Sequence, residues 1–178
     1  MKIKIVFALV VCALLIGCAS TQGPVVEKDN YITNGEFTRV ASEWPNLPFN
    51  WSTTFKGGDD YDPIKTESGR FCGYAENTYS FTLYQNVTGL PAGKYTFAAE
   101  FILNADTTVQ EIKMNVYSGR TLVKSLDVGT ELRGLPRETM HLFELTDIDA
   151  SGSVRVEFAV NSIVKTIFID NVVFFQQK

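Results

Sequence analysis

Short runs of strict apolar/polar alternation, separated by turn residues, constrain this chain more than any other feature of its sequence. In Lys94 to Leu103, Tyr95, Phe97, Ala99, Phe101 and Leu103 share one phase, against Lys94, Thr96 and Glu100. Val154, Val156, Phe158 and Val160 alternate with Arg155 and Glu157, and Ile112, Met114 and Val116 alternate with Lys113, Asn115 and Tyr117. A period of two puts one face on a core and the other in water, which is a strand pattern and not a helical one. The run Ile167 to Phe175 is apolar at nearly every position, as expected of a strand at the centre of a sheet or buried on both faces. Turn signals fall at 89–93, 118–119, 133–136 and 150–152. No convincing amphipathic helix is present. The pattern predicts an all-β antiparallel sandwich.

The amino terminus reads as an address. Lys2 and Lys4 precede an apolar run from Ile5 to Ile16, too short to be read as a spanning helix. It ends in Leu15-Ile16-Gly17-Cys18, which resembles the lipobox of bacterial lipoproteins. The resemblance implies that 1–17 is a signal peptide, that the Cys18 thiol carries a diacylglycerol, and that the domain rests on a bilayer. Ala19, where an aspartate is absent, implies the outer membrane in a Gram-negative host, and in any host the cell envelope. Residues 18–29 then form a lipidated tether, and 30–178 one domain.

Removing 1–17 loses two lysines and no acid, taking the formal charge from −4 to −6. An acidic domain without a basic run is a poor nucleic-acid binder. Cys12 leaves with the signal and Cys18 is acylated, so Cys72 has no disulfide partner and a packed core must supply stability.

Two stretches resemble bacterial carbohydrate-binding modules with a galactose-binding-like jelly roll. The first is Tyr31-Ile32-Thr33-Asn34-Gly35-Glu36-Phe37, followed by Trp44 and Trp51. The second runs from Tyr79 through Gln85 and Val87-Thr88-Gly89-Leu90-Pro91-Ala92-Gly93 to Phe97, and is similar to modules attached to endo-β-1,4-galactanases and related glycan hydrolases. Ile169-Asp170-Asn171-Val172 resembles their carboxy-terminal ending. The resemblance implies a jelly-roll β-sandwich that binds polysaccharide, with galactan the type that the galactanases carrying the resembling modules suggest. It also implies a structural Ca2+ held by Glu36 and Asp170, since calcium takes several oxygen ligands at once.

Residues 41–80 mix aromatics with Asn, Asp, Gly and Pro, as loops that carry a binding site do. Rigid rings stack on sugar C–H faces at low entropy cost, and planar polar groups choose among hydroxyls. The candidates there are Trp44, Trp51, Tyr61, Arg70, Tyr74 and Asn77; Trp51 fits the core equally well. Tyr74 stands where the resembling modules often place a tryptophan. Tyr84 and Tyr117 fall on the outward phase of their strands and could line a shallow cleft, although single exposed tyrosines are common.

Catalytic patterns are weak. No serine sits in a nucleophile elbow, and one Cys72 and one His141 in sequence are no evidence of a pair. Cys72 reads as a small buried apolar residue. The expectation is a non-enzyme. Its partners would be a glycan, the membrane through its lipid, and a glycan hydrolase or envelope protein nearby. The alternative is an envelope lipoprotein that binds protein and no sugar. One flat apolar patch of exposed aromatics would favour the alternative, and aromatics rimmed by Asn, Asp and Arg in a groove would favour glycan.

Overall fold

The computed structural model describes residues 30–41, 46–58 and 64–178. Its elements in chain order are β1 (Ser52–Gly57), β2 (Ile64–Glu67), β3 (Arg70–Leu103), β4 (Thr108–Ser118), β5 (Thr121–Asp127), the short helix α1 (Val128–Leu132) and β6 (His141–Gln176). β3 and β6 are far longer than an ordinary strand and cannot stay in one sheet. They bend where their ladders slip, between Ala75 and Tyr79 and between Thr88 and Gly93. Backbone with positive φ stands at these corners, at Gly89 and Gly152 and at Ser162 and Lys165.

The registers divide the strands into two antiparallel layers. One contains β2, then 71–75, 165–176, 94–103 and 141–149. The other contains β1, then 79–88, 153–163, β4 and β5. This is a β-sandwich in which the two long ribbons pass from layer to layer, and the alternation read from the sequence decides which side faces in. Tyr95, Phe97, Ala99 and Phe101 are fully buried from one layer, as are Ile112, Met114, Val116, Val156, Phe158 and Val160 from the other. The run Ile167 to Phe175 lies inside its layer, between 71–75 and 94–103. Aromatic rings fill the middle: Phe158 lies 5.2 Å from Phe97 and 5.6 Å from Phe101, and Phe71 lies 5.3 Å from Phe81.

Trp51 belongs to this core, which corrects its assignment as a binding residue. It is 8 % exposed, stacks near Phe37 and Phe158, and donates its indole N–H to the Asn34 carbonyl at 3.1 Å. No ring face is left for a ligand.

The segment 30–41 explains the Asn-Gly-x-Phe pattern without a ligand. Asn34 adopts φ 57° and ties the segment with Nδ2 bonds to the carbonyls of Arg39 and Phe49. Gly35 lies against the Val172 backbone, its carbonyl accepting from Val172 N–H at 3.0 Å. Phe37 then enters the core, fully buried. Gln85, 6 % exposed, clamps the segment from the opposite layer: it accepts from Thr33 N–H at 2.8 Å and donates to the carbonyls of Thr33 and Asn50.

Candidate functional site

Because Leu83, Met114 and Phe158 point inward, their neighbours one residue along line the outer face of the second layer. The register aligns Ser52, Tyr84, Glu157, Asn115 and Ser125 in one row across five strands. At about 4.8 Å per strand such a row spans roughly 19 Å. The adjacent row carries Asn86, Arg155, Tyr117 and Leu122.

These side chains form a connected network. Ser125 Oγ donates to Asn115 Oδ1 at 2.7 Å, and Asn115 Nδ2 donates to Glu157 Oε1 at 3.4 Å. Arg155 Nη2 lies 3.1 Å from Glu157 Oε2. The guanidinium carbon sits 4.5 Å from the Tyr117 ring centre and 5.3 Å from that of Tyr84, a cation–π arrangement with both rings. Asn115 and Glu157 are buried, although they point away from the core. Burial first, and then the Glu157 charge, pushes the Tyr117 hydroxyl above the usual tyrosine range. Beside Tyr84 a cleft of about 250 Å³ is lined by Thr33, Asn50, Ser52, Tyr84, Gln85 and Asn86. A partly exposed aromatic therefore stands among hydroxyls and amides in a groove, with an arginine alongside.

The sequence candidates distribute differently. Trp44 and Tyr61, like Cys18, lie outside the described residues. Tyr74 is 46 % exposed on the outer face of the first layer, its hydroxyl bonded to Glu76, which in turn pairs with Lys165. Asn77 is exposed at the neighbouring bend. Arg70 stands four residues before Tyr74, about 13 Å along the strand, and its Nε lies 3.3 Å from Asp170 Oδ2. The structure thus assigns Arg70 to an ion pair with Asp170. Arg155, Glu157, Asn115 and Asn50 were not singled out by the sequence, because only register reveals that they converge.

A larger cleft, about 550 Å³, runs between segment 30–39 and Asn171–Val173 and includes Glu36. Among the described residues no aromatic ring lines it, and the amides of Asn30 and Asn34 are committed to backbone groups. Nor do its neighbours suit calcium. Asp170 Oδ1 accepts from Asn171 N–H at 2.8 Å while Oδ2 faces the Arg70 guanidinium, and Glu36 is exposed. Among the described residues no three Asp, Glu, His or Cys converge. A cation needing six to eight oxygens finds a positive charge beside one of its two expected carboxylates, so the donor set does not fit.

Burial raises the Asp170 carboxyl above its ordinary value; Asn171 N–H and Arg70 oppose the rise, and Glu100 adds to it. A folded pKa above the unfolded one contributes stability that is full below the unfolded pKa and is lost as pH rises through the folded pKa. Asp170→Asn is therefore expected to flatten the pH dependence of the urea midpoint just above the ordinary carboxylate range. An unchanged slope there would show that Asp170 does not titrate in that window.

Cys72 is buried, and its thiol is pushed up to about 12, by burial foremost and then by Glu67. It stays protonated at neutral pH and cannot act as a nucleophile. His141 Nε2 lies 2.8 Å from the Pro136 carbonyl oxygen.

The two five-stranded layers define a β-sandwich of the kind found in carbohydrate-binding modules. Similar solved structures include TmCBM61 in complex with β-1,4-galactotriose (19 % identity, TM-score 0.61, covering 83 % of this chain and 99 % of that one), and a CBM4 module (16 %, 0.53, covering 82 % and 99 %). The enzymatically active domain of bacteriophage CBA120 tailspike protein 4 shares the fold over 84 % of this chain but only 22 % of its own (17 %, TM-score 0.54). No protein-family model matches the chain, and no curated protein matches it. At these identities the likeness is one of fold.

Proposed function

We propose that this chain is a non-catalytic glycan-binding module, held at the cell envelope by a lipid on Cys18, whose ligand lies on the outer face of the second layer. One observation carries the reading: Tyr84 is rimmed by Asn50, Ser52 and Asn86 in a groove, and a charge-compensated Arg155 lies against the rings of both Tyr84 and Tyr117. Rings supply contact area, and the surrounding amides and hydroxyls select among sugar hydroxyls. The fold is shared with TmCBM61, solved with β-1,4-galactotriose, which makes β-1,4-galactan the first polymer to test. Display of many copies on a membrane strengthens a modest single contact through effective concentration.

The test is affinity electrophoresis of the full chain in mild detergent through gels containing β-1,4-galactan, xyloglucan or mixed-linkage β-glucan, with calcium and with chelator. Retention is expected, equal in both conditions. Truncating both central rings, Tyr84→Ala with Tyr117→Ala, should weaken it about 30-fold or more, corresponding to about 2 kcal/mol. Tyr74→Ala should change it little. Loss with Tyr74→Ala alone would move the site to the bend at 75–79. Retention that needs calcium would restore a metal to the protein. Cys18→Ser should release the chain from the membrane fraction; persistence there would remove the lipid.

The protein-binding alternative draws on the edge strands, where Leu122 on β5 and Phe55 on β1 are about half exposed. A folded chain that no glycan retains would favour it.

A further inference from the structure

Arg155 and Glu157 are the part of the proposed face that ring stacking does not explain. A half-buried ion pair on the outside of a sheet is weak evidence for stability, because desolvation offsets the attraction and apolar side chains would serve as well. Here the pair is also elaborately held. Asn115 and Ser125 brace the carboxylate from behind, and the rings of Tyr84 and Tyr117 flank the guanidinium. The pair is nevertheless not closed into a two-pronged fork: Nη2 reaches Glu157, while Arg155 Nε is buried without an acceptor. The Arg155 side chain remains 37 % exposed and that of Glu157 9 %, so the guanidinium is open to solvent and the carboxylate only at its edge.

A guanidinium offers only donors and a carboxylate only acceptors. Set side by side, they match a ligand whose adjacent groups accept at one point and donate at the next. Two neighbouring hydroxyls of a sugar ring do this. A carboxylate or sulfate does not: it would find the arginine already neutralised and Glu157 repelling it. Glu111 on the same face is compensated too, beside Lys113 and Asn161.

We propose that this face reads adjacent hydroxyls of a neutral pyranose, with Arg155 donating and Glu157 accepting, and that it discriminates against uronic-acid and sulfated glycans. The proposal rests on the glycan reading above and names the ligand class for the same site.

The experiment compares the full chain and two variants, Arg155→Lys and Glu157→Gln, on β-1,4-galactan, xyloglucan and mixed-linkage β-glucan, and on polygalacturonate, at low and high salt. Circular dichroism confirms folding of each. The native chain should be retained on at least one neutral polymer independently of salt and pass freely through polygalacturonate. Both substitutions should weaken neutral retention at least tenfold. Glu157→Gln, which uncovers the arginine charge, should also gain retention on polygalacturonate that high salt removes. Salt-sensitive retention of the native chain on polygalacturonate alone would overturn the ligand class while leaving glycan binding in place. Neutral retention untouched by either substitution would overturn the pair as its reader. No retention on any polymer, in a folded protein, would overturn the glycan reading itself.

Discussion

Phe158→Ala is expected to destabilise the domain by about 3–5 kcal/mol, the range for truncating a buried aromatic in a close-packed core. Phe158 is fully buried on 153–163, a strand inside the second layer, and it meets Trp51 from the loop before β1 and both Phe97 and Phe101 from the facing layer. Its removal strips three rings of a partner at once, and none of them can collapse into the space, since each is anchored on a different segment. For a domain of this size the loss corresponds to a fall in melting temperature of about 10 °C. Urea unfolding provides the check, with the midpoint falling and the slope unchanged. Phe158→Leu keeps more of the volume and should cost less than half as much. If the alanine variant lost under 1 kcal/mol, the ring cluster would not be the junction of the layers.

The reach of the sequence ends where register begins. Alternation identifies Phe97, Phe101, Val156 and Phe158 as inward, because inside and outside differ in hydropathy and a strand shows that difference every second residue. The same logic places Tyr84, Tyr117, Arg155 and Glu157 outward. What alternation cannot carry is which outward residues of distant strands become neighbours. Tyr84 meets Glu157, and Glu157 meets Asn115, through pairings that span more than forty positions, and a shift of two residues would preserve every inward phase while dispersing the network. Aromatic density misleads for a related reason. The stretch around Trp51 looks like a binding loop because tryptophan serves both cores and sites, and only the donated bond to Asn34 and the packing on Phe37 decide between them. The corner glycines were legible as turns. That β3 and β6 would continue through them into the other layer was not, since a bend of the ribbon and a hairpin use the same residues.

Gly35→Ala should be the most damaging small substitution, costing about 3 kcal/mol or more although it adds one methyl group. A Cβ there would lie 2.0 Å from the Val172 carbonyl oxygen and 3.2 Å from Ile32 Cγ2. The obstacle is backbone, and it cannot step aside, because Val172 N–H donates to the Gly35 carbonyl on the same contact. The segment must therefore lift, and its two neighbouring attachments lift with it. Tyr31 N–H loses Phe174 O, and Gln85, nearly buried, loses both of its bonds to Thr33. Thr33 and Gln85 also line the cleft beside Tyr84, so the clash reaches the proposed ligand face from the opposite layer. Gly119→Ala is the control: its Cβ would meet nothing within 4 Å, and only its φ of +58° resists, a strain of about 1 kcal/mol. Hydrogen exchange of the Tyr31 and Thr33 amides separates the outcomes. Fast exchange at both in Gly35→Ala, with native protection in Gly119→Ala and in the core strands of each, is expected. Protection retained at Thr33 would mean that Gln85 alone holds the segment, and glycan retention should then survive the substitution.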